Sequence, residues 1–256
     1  MSNGRLTIFN SQQIPKRFFI ICFLITLAVF RPADANDAVV DTLIKNTVKA
    51  TRAYQYEKAY QLIKPYLNSK NERIQALIGY FYESGSKESE RDDNYNSYFD
   101  IDKAVNYYRK AAEGRNANIL FSLGMTLRKT VFKYSLLDPK RQNIRIEVFE
   151  IFLAAAEKGH PWAQLQVAES YVHGLVVERN YIQSYKWTLL ASRRFDTDSG
   201  IGSFKGFLHK SLADYEKKRL DEVEVLYGRA LAVYWERNHP DAIKNFPHLL
   251  FGDFVN

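Results

Sequence analysis

Cysteine is almost absent from this chain of 256 residues, because the sequence contains only one, Cys22. Cys22 lies inside a short apolar run, 18–30, which two basic residues precede and which the tripeptide Ala-Asp-Ala at 33–35 follows. This layout is typical of a secretory signal peptide and predicts a signal over 1–35, with cleavage after Ala35. No thiol would remain after cleavage, which excludes disulfides and cysteine-ligated metal sites from the mature chain.

Long hydrophobic runs are lacking as well. A membrane-spanning helix needs about 20 apolar residues, whereas the run 18–30 is shorter and is bounded by Arg17 and Arg31. We therefore expect a periplasmic or secreted protein. The alternative is a protein that an uncleaved signal anchors to the membrane.

The chain also has no large excess of one charge outside its N-terminal segment. The formal net charge is +7 at pH 7, and the segment 1–35 contributes part of it through Arg5, Lys16, Arg17 and Arg31. The remaining basic residues are interspersed with acidic ones. A nucleic-acid-binding surface needs clustered positive charge, so we expect no nucleic-acid partner.

Alternation of apolar and polar residues, which marks a half-buried strand, does not persist anywhere after residue 36. Apolar residues instead recur every three or four positions almost throughout, and this period predicts an all-α fold. The predicted helices cover about 37–52, 54–67, 73–84, 101–113, 116–130, 144–158, 161–173, 181–193, 203–216 and 219–236. Two long connections separate some of them, a polar one at 86–99 and one at 131–143 that contains Asp138-Pro139.

An internal repeat organises the middle of the chain. The segments AAEGRNANILFSLG at 111–124 and AAEKGHPWAQLQVA at 155–168 align without gaps. Gly79, Tyr82 and Gly85 fit the same frame one unit earlier. A period of this length is typical of stacked helix hairpins, each too thin to bury its own apolar face. We therefore expect a helix hairpin at 36–71, the repeat array at 72–195, and capping helices with a tail at 196–256.

The repeated positions resemble the Sel1-like repeats, which are related to the tetratricopeptide arrays. The best-preserved unit lies within 155–192 and departs from the family pattern at Ala168, Val176, Asn180 and Ser184. The positions that carry the resemblance are Gly79, Tyr82, Gly85, Ala104, Ala111, Ala112, Gly124, Ala155, Ala156, Gly159, Ala163, Tyr171, Gly174, Trp187 and Ala191. The resemblance implies an α/α solenoid of helix hairpins that binds proteins and has no catalytic residue in its motif. A capping helix at 220–235 should close it, because arrays need a polar outer face at their ends.

Motifs of catalysis and of cofactor binding are missing. The five histidines, at 160, 173, 209, 239 and 248, are scattered and form no metal-ligand spacing, so we expect them in helix-capping or surface positions. The glycines at 200, 202 and 206 follow no strand and are better explained as a linker than as a dinucleotide loop. The acidic cluster at 88–93 lacks the spacing of a calcium loop. We expect no enzyme, no metal and no cofactor.

The remaining candidates for function are surface residues. In hairpin arrays one helix of each pair tends to line a concave groove, and here we expect those helices to carry Tyr80, Phe81, Arg128, Lys129, Gln164 and Gln166. Aromatic residues and arginine are typical of interface hot spots. The alternative is that Tyr80 and Phe81 pack between repeats.

These observations favour a non-catalytic periplasmic adaptor or regulator that binds another protein. For an exported member, the resemblance implies a role in envelope signalling, with a membrane sensor as one partner. Two alternatives stay open, a cell-wall-associated enzyme or glycan-binding protein, and a secreted effector that binds a host protein. We expect partner specificity to lie in the connections 86–99 and 131–143.

Overall fold

The computed structural model describes residues 36–85, 95–195 and 202–244. The predicted signal at 1–35, the acidic cluster, the linker glycine at 200 and the tail from 245 lie outside the described residues. Gly202, which was expected in a linker, is instead the first residue of a helix. Within the described ranges the chain forms eleven α-helices and no β-strand. The prediction of an all-α fold is therefore confirmed.

Most helices begin at a side chain that caps the first turn. Their bounds are α1 Asp37–Arg52, α2 Tyr56–Ile63, α3 Glu72–Glu83, α4 Ile101–Ala111, α5 Ala117–Thr130, α6 Pro139–Glu157, α7 Pro161–His173, α8 Tyr181–Ser192, α9 Gly202–Lys218, α10 Glu222–Asn238 and α11 Pro240–Lys244. The capping side chains are Asn36, Asn71, Asp100, Asn116, Asp138, His160, Asn180 and Asp221. Each accepts a hydrogen bond from a backbone N–H that has no partner inside the helix.

The second long connection is shorter than the sequence predicts. The loop was expected over 131–143, but α6 begins at Pro139 because Asp138 caps it, accepting from the backbone N–H of Lys140 at 2.9 Å. Proline suits the first helical turn, where its missing N–H costs nothing. The prediction of a loop was therefore wrong for 139–143. The short helix α11 was not predicted.

Three successive hairpins, α3–α4, α5–α6 and α7–α8, form the repeat array. In the first two, a glycine of the leading helix receives an aromatic ring of the following helix. A Cβ added at Gly79 would lie 3.0 Å from the Tyr108 ring, and one added at Gly124 would lie 2.6 Å from the Phe152 ring. In the third, Ser184 donates its hydroxyl to the Ala168 carbonyl at 2.9 Å. The small residues of the repeat thus stand where paired helices touch.

The two largest apolar cores of the described residues run through the array. The first joins α1, α2 and α3 around Ile63, Ile74 and Phe81. The larger one extends from α3 to α8 and includes α10, whose Trp235 ring lies 5.9 Å from the Trp187 ring of α8. Among the described residues, no helix is both long and apolar enough to cross a membrane.

The C-terminal helices α9 and α10 both pack on α8. A Cβ at Gly228 of α10 would lie 2.8 Å from the ring of Tyr185, so these helices are in close contact. The Tyr185 hydroxyl donates to Glu216 of α9 at 2.8 Å and accepts from Nε of Arg229 of α10 at 3.1 Å. A single buried tyrosine therefore fixes both C-terminal helices to the last complete hairpin.

Candidate protein-binding surface

The carboxylate of Glu83, at the end of α3, joins three helices. Its Oε1 accepts from the Tyr108 hydroxyl of α4 at 2.8 Å. Its Oε2 lies 2.6 Å from Oγ1 of Thr126 and 3.2 Å from Nζ of Lys129, both on α5. Burial, followed by the negative charge of Glu83, raises the pKa of Tyr108 well above its ordinary value. The phenol therefore stays protonated and can donate to Glu83.

A second polar link joins α5 to α7. The guanidinium of Arg128 donates to Oε1 of Gln166, and its other terminal nitrogen lies 3.4 Å from Sδ of Met125. Four of the six predicted groove residues are at least partly exposed on the leading helices of the three hairpins. They are Tyr80, Arg128, Lys129 and Gln166. We name these four the first-helix face. Three of them are already engaged by side chains of neighbouring repeats.

Two predicted groove residues do not reach the surface. Phe81 is 0% exposed, and its ring lies 6.1 Å from Tyr60 and 5.7 Å from Tyr98. Gln164 is also 0% exposed, and its Nε2 donates to the Ala156 carbonyl near the end of α6 at 3.2 Å. The prediction that these two line a groove was wrong, because both occupy positions on the buried side of their helices. For Phe81, the alternative of packing within the array is correct.

The described end of the first connection is part of the structural core. Asn96 is buried and donates from Nδ2 to the Ser84 carbonyl at 2.8 Å. The ring of Tyr98 stacks on Tyr60 at 4.3 Å, and the hydrogen bond of its hydroxyl to Glu57, the largest of several causes, raises the pKa of Tyr98 to about 12. Residues 95–99 therefore fasten the connection to α2 and α3.

The second connection presents apolar side chains to solvent. Phe132 and Leu136 are each 78% exposed, and Leu137 is 94% exposed. We name these three residues the connection patch. The sequence interpretation missed them, although apolar residues outside any helical period, just before Asp138-Pro139, were the available signal. Exposed apolar residues that cluster on a soluble protein are typical of interaction sites.

The loop that carries the connection patch is held on both sides. Val131 is buried below it, and Asp138 caps the helix that follows. The guanidinium of Arg141 donates to the Tyr134 carbonyl at 2.9 Å and lies 5.7 Å from the centre of the Phe132 ring. The side chains of the patch are therefore presented on a positioned loop, which lowers the entropy cost of binding.

The histidines of the described ranges occupy helix ends and surface positions. His160 caps α7 through Nδ1, stacks on Phe121 at 4.3 Å, and is buried. Burial lowers the pKa of His160 to about 3, so the ring is neutral and can accept. His173 ends α7 and His239 follows α10. Among the described residues, no three histidine, cysteine, aspartate or glutamate side chains are grouped to hold a metal ion.

Comparison with known proteins gives matches among solved structures. No protein-family model and no curated protein sequence matches the chain. One similar structure is a protective antigen of uropathogenic Escherichia coli strains that displays an SLR fold. It is 18% identical with a TM-score of 0.35, and the match covers 80% of this chain and 50% of the antigen. This chain therefore spans about half the length of that protein.

A second similar structure is a Sel1 repeat protein from Oxalobacter formigenes. It is 19% identical with a TM-score of 0.45, and the match covers 80% of this chain and 86% of the other. By their descriptions, both structures to which the chain is similar are Sel1-type repeat proteins.

Proposed function

We propose that this chain is a Sel1-like repeat protein that acts as a non-catalytic adaptor or regulator by binding another protein in the bacterial periplasm. Restraint of a membrane sensor in envelope signalling is the specific role that we propose. The connection patch is the observation that carries the proposal, because three large apolar side chains on a positioned loop have no function in the core of the chain itself. When a partner covers such a patch, apolar surface is removed from water, and this contributes favourably to the free energy of binding.

The first-helix face is the weaker candidate for the main contact. Arg128 is bonded to Gln166, and Lys129 is paired with Glu83 at 3.2 Å. A partner would have to replace these internal bonds, and the net gain from exchanging one polar contact for another is small. We propose that this face contributes to specificity while the connection patch contributes affinity.

The predicted cleavage site agrees with the start of α1. Asn36 would be the first residue after cleavage at Ala35, and its side chain accepts from the backbone N–H of Val39 at the start of α1. Cleavage there would leave α1 complete, including its cap. Sequencing of the N-terminus of the protein from a periplasmic extract should give Asn36 as the first residue. A different mature N-terminus, or recovery of the uncleaved chain in membranes, would contradict the proposed processing.

Site-specific photo-crosslinking tests the binding surface. A photoreactive amino acid at position 137 should crosslink the chain to one defined envelope protein in living cells. The matched control is the same probe at Tyr54, which is exposed on the N-terminal hairpin. The double variant Leu136→Ser/Leu137→Ser should then bind the purified partner at least tenfold more weakly, because two desolvated apolar anchors are lost.

Three results would overturn the proposal. The absence of any crosslink specific to position 137 would exclude the connection patch as a protein-binding site. Equal affinity of the double variant and the unchanged chain would do the same. Turnover of a β-lactam reporter, or binding to purified peptidoglycan that does not depend on a protein partner, would favour the cell-wall alternative.

A further inference from the structure

Helix α10 has apolar residues on two opposite sides. One side is buried against α8 and its surroundings through Val225, Gly228, Ala232 and Trp235. The opposite side is exposed and follows the helical period with Val223, Leu226, Tyr227, Ala230, Val233 and Tyr234. We name this second set the α10 outer face. An exposed apolar stripe of this kind on a helix is typical of an interaction surface.

The outer face differs from what the sequence interpretation expected of a capping helix. A closing helix was expected to present polar residues, since a polar end keeps a hairpin array soluble. The side chains of Leu226, Tyr227 and Tyr234 are instead each more than half exposed. The expectation of a polar outer face was therefore wrong for α10, since the described residues leave these apolar side chains uncovered.

The outer face is arranged to match a second copy of itself. Ala230 lies at its centre, with Leu226 and Tyr227 before it and Val233 and Tyr234 after it. If two α10 helices cross antiparallel at Ala230, Leu226 lies opposite Tyr234 and Tyr227 lies opposite Val233. The small side chain at the crossing point allows the two helix axes to approach, and larger residues fill the space on both sides.

Charge at the two ends of the helix agrees with this arrangement. Glu222 lies at the start of α10 and Arg237 at its end, and within the described part of the chain neither takes part in an ion pair. In an antiparallel pair, Glu222 of each copy lies beside Arg237 of the other. The two helix dipoles also oppose each other in this orientation. In a parallel pair, each of these charges would instead meet a like charge.

From these observations we propose that α10 mediates an antiparallel homodimer with its two-fold axis at Ala230. An isologous contact of this kind uses the same surface on both copies and closes after two chains. The proposal goes beyond the protein-binding function proposed above. It does not depend on that function, because the connection patch lies between α5 and α6 and shares no residue with α10.

Measurement of mass in solution is the first test. Sedimentation equilibrium of the chain of 256 residues should give the mass of two chains at about 50 µM. Leu226→Glu should shift the mass to one chain, with an unchanged circular dichroism spectrum since Leu226 is 63% exposed. Leu175→Glu is the matched control, because Leu175 is 60% exposed on another connection, and this variant should remain a dimer.

Cysteine crosslinking tests the orientation in a Cys22→Ser background. Ala230→Cys should form a disulfide with its own copy, because the two-fold axis places both positions together. Val223→Cys should not pair with itself, since its two copies would lie about 20 Å apart along the helices. It should pair with Arg237→Cys when the two variants are mixed. Self-pairing of Val223→Cys would show a parallel contact and overturn the proposal.

Charge reversal gives an independent check. Glu222→Arg and Arg237→Glu should each raise the dimer dissociation constant by about fivefold or more, because each creates two like-charge contacts per dimer. The double variant restores opposite charges and should return to within about threefold of the starting value. No change in either single variant would contradict the antiparallel pairing.

Two other outcomes are distinguished by the same measurements. A chain that is monomeric with all 256 residues but dimeric when it ends at Lys244 would show that the residues after Lys244 cover the face. A chain that is monomeric in both forms would show that neither they nor a second copy does so. Either result would overturn the proposed dimer.

Discussion

At the scale of single residues, glycine and aromatic side chains form matched contacts inside the hairpins. Gly124 is the tightest of these, because a Cβ there would lie 2.6 Å from the Phe152 ring, which is itself buried in the larger core. The ring cannot move outward without leaving that core. The contact therefore explains why the repeat has a glycine at this position, although glycine is a poor helix former.

Gly124→Ala should destabilise the protein by about 1 kcal/mol. Overpacking costs about 1–3 kcal/mol, and the better helix propensity of alanine returns about 0.5–1 kcal/mol. Urea unfolding followed by circular dichroism measures the difference. The matched control is Gly206→Ala on α9, where a Cβ would meet nothing within 4 Å. That variant should be neutral or more stable, and an equal loss in both would contradict the contact explanation.

The buried imidazole of His160 makes stability dependent on pH. Burial lowers the pKa of this group from 6.5 to about 3 in the folded chain. The unfolded chain therefore binds a proton below pH 6.5 that the folded chain does not bind. The contribution of this group to the free energy of unfolding is therefore fully present above pH 6.5. It decreases as the pH falls from 6.5 towards 3.

His160→Asn should remove most of this dependence, because asparagine caps a helix without titrating. The free energy of unfolding of the unchanged protein should decrease by about 2 kcal/mol from pH 7 to pH 5 through His160. The other titrating groups are the same in both proteins, so the variant should lose less by that amount. Parallel stability curves for the two proteins would exclude His160 as the cause.

At the scale of elements, Glu83 joins α3, α4 and α5 through bonds to the buried side chains of Tyr108 and Thr126 and to the exposed Lys129. Glu83→Ala should cost about 1–3 kcal/mol, because the Tyr108 hydroxyl is then left buried without its acceptor. In the Tyr108→Phe background the same change should cost less, since no hydroxyl remains to be satisfied. A double-mutant cycle from urea unfolding gives the coupling between these residues. If the effects of the two substitutions on the free energy of unfolding are additive, the hydrogen bond between Glu83 and Tyr108 contributes nothing to stability.

The helices could be predicted from the sequence because their caps and apolar periods agree. Predicted and observed bounds of α1, α5 and α7 differ by no more than one residue at either end. The start of α6 was placed too late, because the apolar period begins only at Ile144, whereas the cap that starts the helix is Asp138. After a capping residue and a proline, a polar first turn should be assigned to the helix, even where its side chains bury no apolar surface.

The candidate surface was predicted less well. Phe81 follows Ile74, Leu77 and Ile78 at helical spacing, so its position in the period indicates burial, while its residue type suggested a hot spot. Gln164 lies between buried positions of α7 and gives no such signal, because its burial depends on the Ala156 carbonyl of another helix. The connection patch and the α10 outer face depend on the tertiary arrangement, since only the packing of neighbouring helices determines which apolar residues stay exposed.

At the scale of the whole molecule, two cores divide the array into parts with few shared residues. Phe81 belongs to the core of α1–α3, whereas the larger core continues through α7 and α8. Each repeat is stabilised mainly by its neighbours, so a loss at one end is not shared equally along the chain. Tyr80 packs against both cores and is one of the side chains that couple them.

Phe81→Ala should therefore lower the local stability of the N-terminal end of the array more than that of the C-terminal end. Truncation of a fully buried phenylalanine costs about 3–5 kcal/mol, and this loss should raise amide hydrogen exchange in α1, α2 and α3 by a hundredfold or more. Exchange in α7 and α8 should change much less, because their contacts lie in the other core. Mass spectrometry of peptides from both ends measures the two effects in one sample.

Phe152→Ala is the matched variant in the larger core and should give the reverse pattern. Equal acceleration at both ends in both variants would mean that the array unfolds as one cooperative unit.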